Sequence, residues 1–340
     1  MKRKIIVTIF GLIVTLSIYL FTADFSPIAT KSNHAIDSFV QDSGQIQLFF
    51  CPQEQCEEAF ISFLDSGQES IHCALYEIDL PSVQQKLLEK QQQMEVQIIT
   101  DDDYLKEFNH SFVKADSFGL MHNKFCVIDG IKVSSGSMNP TINDAHKNNN
   151  NLLLIDSPLL AKNYDAEFQE MWNGTFKKGT PVKNPFVLLN NSSIQNYFCP
   201  DDDCAWHVAE ELKQAKKSIY FMVFSFTQQS IANVLLLKHQ DNISVQGVMD
   251  SQQISQYSVY EQLQYQGIDV LKDGNKYKLH HKVFIIDDDT IITGSFNPTG
   301  GGDEKNDENI LIIKDKEIAQ KFQEEFKKRW EEAEKENSKI

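Results

Sequence analysis

Two segments of the chain repeat one set of reactive side chains at one spacing. Residues 122–129 read HNKFCVID, and residues 280–287 read HHKVFIID. The repeated residues are His122, Lys124 and Asp129 in the first segment and His280, Lys282 and Asp287 in the second. Because side chains on a β-strand alternate between its two faces, a His and a Lys two residues apart point to the same side. Each segment therefore predicts an imidazole beside an ammonium group, which can bind an anion such as phosphate and attack it or move its protons.

A polar hexapeptide follows each segment at the same distance. It reads GSMNPT at residues 136–141 and GSFNPT at residues 294–299. Its Ser and Asn lie on the returning arm of a predicted hairpin, where they share a face and add neutral hydrogen-bonding groups to the anion site. These residues are Ser137, Asn139, Ser295 and Asn297. A single His would have to act as both nucleophile and acid, whereas two half-sites that meet supply one His for each task.

Each of these residues has an ordinary interpretation when taken alone. A single His on a strand is usually a hydrogen-bonded core residue, a single Lys is usually a solvated surface charge, and Gly-Ser-x-Asn is usually a turn. Here the same residue types recur twice at identical internal spacing. That repetition favours a functional site built from two equivalent halves.

The surroundings of the two segments are repeated as well. LFFCPQEQCEEAF and AKNYDAEFQEMW in the first copy resemble NYFCPDDDCAWHV and AQKFQEEFKKRW in the second. The chain is therefore predicted to be a duplication of one whole domain. We expect unit 1 at residues 45–178 and unit 2 at residues 190–335, with an insertion in unit 2 near VYEQLQYQGIDV.

Helical and strand patterns alternate within each unit, which predicts an α/β fold. In unit 2 we expect helices over residues 205–216 and 230–239 and strands over residues 218–226 and 244–249. The hairpin that carries the His and the Lys follows, with Asp129-Gly130 as its turn in unit 1. An amphipathic helix with aromatic residues four apart closes each unit.

The pattern His-x-Lys-x4-Asp-x6-Gly-Ser-x-Asn resembles the signature of the phospholipase D superfamily, and the resemblance extends over about residues 45–332. It implies two duplicated α/β units packed side by side about a pseudo-twofold axis, with the active site where they meet. It also implies that phosphodiester bonds are cleaved in two steps through a covalent phosphohistidine, without a metal ion or another cofactor.

The resemblance implies a role for each repeated residue. His122 would be the nucleophile, and His280 would protonate the leaving oxygen and then activate water. Asp129 and Asp287, at hairpin ends, would be structural supports. The groups that would bind the phosphoryl oxygens are Lys124, Lys282, Asn139 and Asn297.

One departure from the family pattern distinguishes the two halves. The second copy keeps the family's acidic residue as Glu308 within the sequence NDEN, whereas the first copy has Asn150 within NNNN. A carboxylate beside a His raises the basicity of the imidazole. The half-sites are therefore predicted to be unequal, and which His attacks stays open.

The six cysteines suggest an oxidising compartment. CPQEQC contains Cys51 and Cys56, and CPDDDC contains Cys199 and Cys204. We expect these four to form disulfides, either within each pair or between the halves, and the alternative is a four-cysteine zinc site. The remaining two cysteines lie in apolar runs and are interpreted as small core residues; they are Cys73 and Cys126.

The N-terminus carries basic residues followed by an apolar run. We interpret residues 1–24 as a signal peptide or a membrane anchor, which predicts an extracytoplasmic protein that is secreted or held at a membrane. We expect a monomer because both half-sites lie in one chain. Runs of three aspartates at 101–103 and 201–203 could suggest a metal, but solvated loop charge is the commoner cause.

Motifs alone leave the substrate open between phospholipids and nucleic acids. The N-terminal segment and the net charge of −16, which repels polyanions, favour a phospholipid. The compact units and a small basic patch favour a nuclease; the patch consists of Lys272, Lys276, Lys278 and Lys282. An inactive binding or scaffold protein is the remote alternative, because both copies keep their His and Lys.

Overall fold

Each copy of the repeat forms its own sheet with helices packed against it. The computed structural model describes residues 40–116 and 119–338, which belong to one compact unit. The segment 1–24 lies outside the described residues. The first part of the chain contains β1 (Val40–Asp42), β2 (Ile46–Cys51), α1 (Cys56–Asp65), β3 (Ser70–Leu75), α2 (Pro81–Gln91), β4 (Glu95–Thr100), β5 (Val113–Ala115), β6 (Lys124–Ile128), β7 (Lys132–Gly136), α3 (Ile142–His146), β8 (Asn150–Asp156) and α4 (Pro158–Trp172).

The second part of the chain repeats this order and adds one helix. It contains β9 (Phe186–Leu189), β10 (Ser192–Cys199), α5 (Cys204–Leu212), β11 (Ser218–Val223), α6 (Gln229–Gln240), β12 (Ser244–Met249), α7 (Tyr260–Tyr265), β13 (Asp269–Lys272), β14 (Lys282–Ile286), β15 (Thr290–Gly294), α8 (Gly300–Glu304), β16 (Glu308–Lys314) and α9 (Lys316–Asn337). The added helix α7 corresponds to the predicted insertion. Among the described residues, none of these helices is both long and apolar enough to cross a membrane.

The strand orders of the two sheets confirm the duplication. The first sheet runs β2-β8-β7-β6-β3-β4-β5, and the second contains β10-β16-β15-β14-β11-β12-β13 in the same sequence of equivalents. In both, the last three strands are parallel and the others are antiparallel. The second sheet is extended by β9 and by β1, which pairs with β9 in parallel although it precedes the first copy in the chain. The mixed α/β architecture is the predicted one.

A shared core joins the copies. The central strands β6 and β14 are buried along their whole length, because each sheet is covered on both faces. Tyr164 of α4 contacts both Phe125 of β6 and Phe198 of β10, with ring centroids 4.9 and 5.0 Å apart. Phe50 of β2 likewise meets Phe322 of α9 at 5.1 Å. The closing helices α4 and α9 therefore contribute to an apolar layer that holds one copy against the other.

The disulfides settle the pairing that the sequence left open and correct one prediction. Cys51 pairs with Cys56 and Cys199 with Cys204, so the bonds are local and these cysteines do not form a zinc site. Cys73 and Cys126, predicted as core residues without a bond, form a third disulfide. The physical reason is register: they face each other directly on the antiparallel strands β3 and β6, with Cα atoms 4.0 Å apart.

Candidate active site

The fold brings the two repeated His residues to one cleft of about 490 Å³ between the copies. His122 lies just before β6 and His280 just before β14. The backbone N–H of His122 donates to the carbonyl of Asp307 at 3.0 Å, and that of His280 donates to the carbonyl of Asn149 at 2.9 Å. Each His is thus fixed on the strand end of the opposite copy, and the arrangement is reciprocal.

Glu308 supports the ring of His122 from the other copy. Its Oε2 lies 2.8 Å from Nδ1 of His122, and its side chain is fully buried. Burial lowers the pKa of His122 below its ordinary value, and the Glu308 carboxylate opposes that shift. A carboxylate at Nδ1 makes that nitrogen the N–H donor, so Nε2 carries the lone pair on the neutral ring.

His280 has two acceptors at the equivalent nitrogen. Its Nδ1 lies 2.9 Å from Oδ1 of Asn150 and 3.3 Å from Oδ2 of Asp144. The amide nitrogen of Asn150 donates to the carbonyl of Asp144 at 3.2 Å, so the amide oxygen faces the ring. Burial and the neighbouring Lys282 lower the pKa of His280 to about 3, and Asp144 acts in the opposite direction. Despite its burial, which alone would raise it, the pKa of Asp144 lies below its ordinary value because His280 is beside it.

Both rings leave Nε2 unoccupied and pack against an aromatic residue. Within the described residues, neither Nε2 makes a hydrogen bond, and both His side chains line the cleft. Tyr76 meets the ring of His122 edge-on at 4.8 Å, and Phe224 meets that of His280 at 5.0 Å. Each ring is therefore held by an aromatic residue of its own copy and, through Nδ1, by polar residues of the other copy.

The two repeated lysines lie buried beside the histidines. Lys124 donates to the carbonyl of His122, and Lys282 donates to that of His280, each at 2.7 Å. Each ammonium group keeps two further hydrogens for an anion. Burial lowers the pKa of Lys124 to about 8, and burial together with Lys124 lowers the pKa of Lys282 well below 10.5. An anion in the cleft would relieve the repulsion between the two ammonium groups.

The serines and asparagines of the hexapeptides occupy two different places. Asn139 and Asn297 line the cleft, and within the described residues the Oδ1 of each is buried without a hydrogen-bond partner. Ser137 and Ser295 lie behind the cleft: the Ser137 hydroxyl donates to Oδ1 of Asn151 at 3.0 Å, and the Ser295 hydroxyl accepts from the backbone N–H of Asn309 at 3.0 Å. Because an amide oxygen only accepts hydrogen bonds, an anion in the cleft would be contacted by the amide N–H groups of these asparagines. The two serines hold the residues behind the cleft in place.

The repeated aspartates are not brought to the cleft. Asp129 accepts hydrogen bonds from the backbone N–H groups of residues 68–70 at 2.7 to 3.1 Å. Asp287 accepts from those of residues 216–218 at 2.8 to 3.1 Å. Each tethers the hairpin turn to the loop before the neighbouring strand, which fixes the register of the strand that carries the His and the Lys.

The predicted basic patch is divided in the structure. Lys282 is buried in the site, and Lys272 lies over the ring of Tyr260 outside the cleft lining. Lys276 and Lys278 do line the cleft, and Lys147 joins them from the first copy. We call Lys147, Lys276, Tyr277 and Lys278 the cleft rim. The Nζ atoms of Lys147 and Lys276 lie 5.6 and 5.0 Å from the ring of Tyr277, and Asn275 ties the rim together by donating to the carbonyl of Lys147.

The aspartate runs serve the backbone. Asp101 is buried and accepts from the N–H of Met121, the residue before His122, at 3.1 Å. Its carboxylate lies within 4.8 Å of those of Asp102 and Asp103, which are exposed. Asp201 accepts from the N–H of Gly179 at 2.8 Å. Asp101 therefore holds the segment before His122, and Asp201 holds the connection between the two copies.

Several residues of the site carried no clear signal in the sequence. Tyr76 and Phe224 occupy equivalent positions at the ends of β3 and β11, so an aligned aromatic residue could have indicated them. Asp144 stands in a five-residue helix without a motif, and only the structure reveals its contact with His280. Glu77, which lines the cleft and whose pKa is raised to about 7 by burial, also lay outside the repeated pattern.

Comparisons with known proteins agree with the geometry. A family model described as "Cardiolipin synthase, PLD-like domain" matches residues 60–172 and 208–330, more than half of the chain. A protein named phospholipase D from Rickettsia conorii is 33% identical over 135 residues, which are 39% of this chain and 68% of that protein. A mitochondrial cardiolipin hydrolase from Xenopus laevis is 33% identical over 145 residues, 42% of this chain and 69% of that protein.

A solved structure shares the fold of nearly the whole chain. The phosphatidylserine synthase of Haemophilus influenzae Rd KW20 matches with a TM-score of 0.62 and 12% identity, over 84% of this chain and 86% of that chain. Both copies of the repeat are thus part of a known architecture. With its duplicated His-Lys segments, the chain belongs to the phospholipase D superfamily and is a hydrolase of the phosphodiesterase type.

Proposed function

We propose that this phosphodiesterase hydrolyses the head-group phosphodiester bond of phospholipids through a covalent phosphohistidine and without a metal ion. The observation that carries the proposal is the pair of unoccupied Nε2 atoms, one from each copy, in a single cleft above two buried lysines. A nucleophile and an acid are then available on two sides of one phosphorus atom. Lys124 and Lys282 supply positive charge for the phosphoryl oxygens.

In the first step, Nε2 of His122 attacks phosphorus, and the bond from phosphorus to the head-group oxygen breaks. Glu308 holds Nδ1–H of His122, so the lone pair of the neutral ring lies at Nε2. His280, in its protonated form, gives its Nε2 proton to the departing oxygen. The products of this step are a free head group and a phosphatidyl group on His122.

In the second step, the neutral His280 takes a proton from water while the water oxygen attacks phosphorus. The bond between phosphorus and Nε2 of His122 breaks, which releases phosphatidic acid and returns both rings to their starting forms. Because the pKa of His280 is lowered to about 3 in the open cleft, its protonation has to accompany binding of the anionic phosphodiester.

The cleft rim supports an anionic substrate with a surface beyond the scissile bond. Three lysines and the 39% exposed Tyr277 surround the entrance of a chain whose net charge is −16. A membrane rich in anionic lipid suits such a rim. The same rim would also accept the backbone and bases of a polynucleotide, which makes a nuclease the second candidate.

We further propose an extracytoplasmic, monomeric protein that is anchored or secreted through residues 1–24. The three disulfides support an oxidising compartment. Two half-sites in one chain support a monomer. A hydrophobic N-terminal segment would keep the cleft close to a bilayer.

The experiment offers the full chain, with EDTA present, separate substrates: phosphatidylcholine/phosphatidylglycerol vesicles, cardiolipin vesicles, and single- and double-stranded DNA and RNA. H122N is the control, since Asn keeps polar contacts but cannot form the phosphohistidine. We expect head-group release that H122N abolishes. Cut polynucleotide with intact lipid would make the chain a nuclease, and a reaction abolished by EDTA would overturn the metal-free mechanism.

A further inference from the structure

We propose that Asp144 is the positioning residue of His280. Its carboxylate, on helix α3, holds the ring of His280 as Glu308, on strand β16, holds the ring of His122. This inference rests on the proposed function, because it assigns His280 a proton-transfer step. It concerns a residue outside the repeated motif, in a half-site that otherwise lacks the acidic group.

The Asp144 carboxylate is buried and held from several sides. Its Oδ2 lies 3.3 Å from Nδ1 of His280 and accepts from both the backbone N–H and the side-chain amide of Asn139, each at 2.8 Å. Its Oδ1 accepts from the amide of Asn148 at 2.6 Å. A carboxylate fixed by so many donors keeps its place when the neighbouring ring gains or loses a proton.

The equivalent helix of the second copy has no room for such a group. Thr141 caps α3 by accepting from the N–H of Asp144 at 3.1 Å, and Thr299 caps α8 by accepting from the N–H of Gly302 at 3.0 Å, so Asp144 and Gly302 are equivalent positions. A Cβ atom on Gly302 would lie 2.4 Å from the carbonyl oxygen of Asn297. The carboxylate for His122 therefore has to come from another element, which is β16 with Glu308.

The first copy has the opposite arrangement. Asn150 occupies the strand position equivalent to Glu308 and offers only a neutral oxygen to His280. A neutral acceptor can fix the tautomer of a ring, but it cannot balance the charge of the imidazolium that forms when His280 takes a proton from water. Glu77, Lys276 and Lys278 line the same cleft as His280. The charged groups with the largest effect on His280 itself are Lys282 on β14, Asp144 on α3 and Lys124 on β6. Asp144 is the anionic one of these three, and it stays ionised while the proton resides on Nε2 of His280.

The test compares four variants of the full chain. D144N removes the charge at nearly constant shape, and D144N/N150E returns a carboxylate to the strand position. N150L removes the neutral acceptor together with the amide that donates to the carbonyl of Asp144. E308Q is the matched control in the other half. We expect D144N to lower kcat about 10- to 100-fold. Because the imidazolium loses its counter-charge, the alkaline limb of the kcat–pH profile should move about one pH unit lower.

The other variants should separate charge from shape. D144N/N150E should recover at least a tenth of wild-type kcat and the wild-type alkaline limb, and N150L should leave that limb in place. E308Q should move the acidic limb instead, because it changes His122. If D144N keeps the wild-type limb, or if the double variant stays as inactive as D144N at equal thermal stability, Asp144 is not the partner of His280.

A second measurement does not depend on activity. Histidine-labelled full chain is titrated by NMR with tungstate as the bound anion, and the His280 signal is identified by its loss in H280N. We expect D144N to lower the titration midpoint of His280 and E308Q to lower that of His122. A wild-type chain that cleaves no phosphodiester would overturn the proposed function, whereas an unchanged His280 midpoint in D144N would overturn the role of Asp144.

Discussion

The two copies can be compared at equivalent buried positions on the closing helices. In the second copy, Oε1 of Glu325 on α9 lies 3.1 Å from Nε of Arg329 and 3.5 Å from Nε2 of His281. The equivalent residues of the first copy are Glu167, Met171 and Asn123. Glu167 has thus kept its carboxyl group while both basic partners are replaced, and burial raises its pKa well above 4.5.

A second pair of equivalent positions lies in the sheets. Cys73 and Cys126 form a disulfide between β3 and β6, and Phe221 and Phe284, with ring centroids 6.1 Å apart, face each other between β11 and β14. A third difference is that Asn150 of the first copy stands where the second copy has Glu308, and a carboxylate from α3, that of Asp144, lies beside the His instead. The duplicated frame fixes where the reactive groups lie, and each half satisfies its own buried positions with different chemistry.

The largest expected effect separates the two histidines. H122N should lower kcat/KM by about 10⁴-fold or more for every substrate, because it removes the nucleophile that we propose. H280N should lower it by about 10²- to 10⁴-fold for lipids but far less for a p-nitrophenyl phosphodiester, whose leaving group needs no acid. Steady-state rates of both variants on both substrates test this. Equal rescue of the two variants by the activated substrate would contradict the division of roles.

The next effect compares the disulfides. The Cys73–Cys126 bond closes a loop of 53 residues, whereas Cys51–Cys56 closes one of 5. In the chain-entropy model, removing the first by C73S/C126S should lower the free energy of unfolding by about 4 kcal/mol and C51S/C56S by about 2 kcal/mol. Urea unfolding of both variants measures the difference. Equal losses would show that the longer cross-link does not stabilise the first copy more.

A smaller effect is expected from the two buried glutamates. E325Q leaves the buried Arg329 with only the partly exposed Glu332 as its anion and should lower the free energy of unfolding by up to about 3 kcal/mol. E167Q should cost little at pH 5 and become more favourable relative to wild type as the pH rises. The pKa of Glu167 is higher in the folded than in the unfolded protein, so the folded state binds an extra proton between these two pKa values. The free energy of unfolding of wild type therefore decreases as the pH rises from about 4.5 through the folded pKa.

Unfolding curves at pH 5 and pH 8 for wild type, E167Q and E325Q decide this comparison. The expected order of stability at pH 8 places E167Q highest and E325Q lowest. A larger loss of unfolding free energy for E167Q than for E325Q would mean that Glu167, like Glu325, has a stabilising partner.

The smallest expected effect concerns anion binding by the lysines. The pKa of Lys124 is lowered to about 8, and a bound anion favours its protonated form. The affinity for tungstate should therefore fall by up to tenfold per pH unit above about pH 8, about 1.4 kcal/mol. Calorimetry in buffers of different ionisation enthalpy measures both affinity and proton uptake. K124M should weaken the fall without abolishing it, because the pKa of Lys282 is lowered as well. An unchanged pH dependence in that variant would exclude Lys124 as a source of the fall.

Much of the fold could be predicted because each copy carries local patterns. The strand predicted at 244–249 is Ser244–Met249, and the helix predicted at 230–239 is Gln229–Gln240. The helix predicted at 205–216 ends earlier, at Leu212, and the strand predicted at 218–226 ends at Val223. The helix ends before the loop at residues 216–218 that Asp287 holds, and the strand ends where Phe224 enters the cleft. Turns rather than hydrophobic periodicity set both ends.

The reactive residues of the site could be named from the sequence, but their partners could not. The His-Lys spacing determines which side chains share a face, and duplication implies that the two faces meet. The pairing of Glu308 with His122 and of Asp144 with His280 depends on contacts between copies, which no local pattern encodes. The Cys73–Cys126 bond depends likewise on strand register across 53 residues.

The most direct test of the mechanism is the chemical identity of the intermediate. H280N is mixed with a labelled p-nitrophenyl phosphodiester, quenched in alkali within the first turnover, digested and analysed by mass spectrometry. Because the second step needs His280 to activate water, the covalent species should accumulate. We expect an acid-labile, alkali-stable phosphoryl adduct on His122 and none in H122N. An adduct on another residue, or turnover in H280N without any adduct, would contradict the phosphohistidine mechanism with His122 as nucleophile.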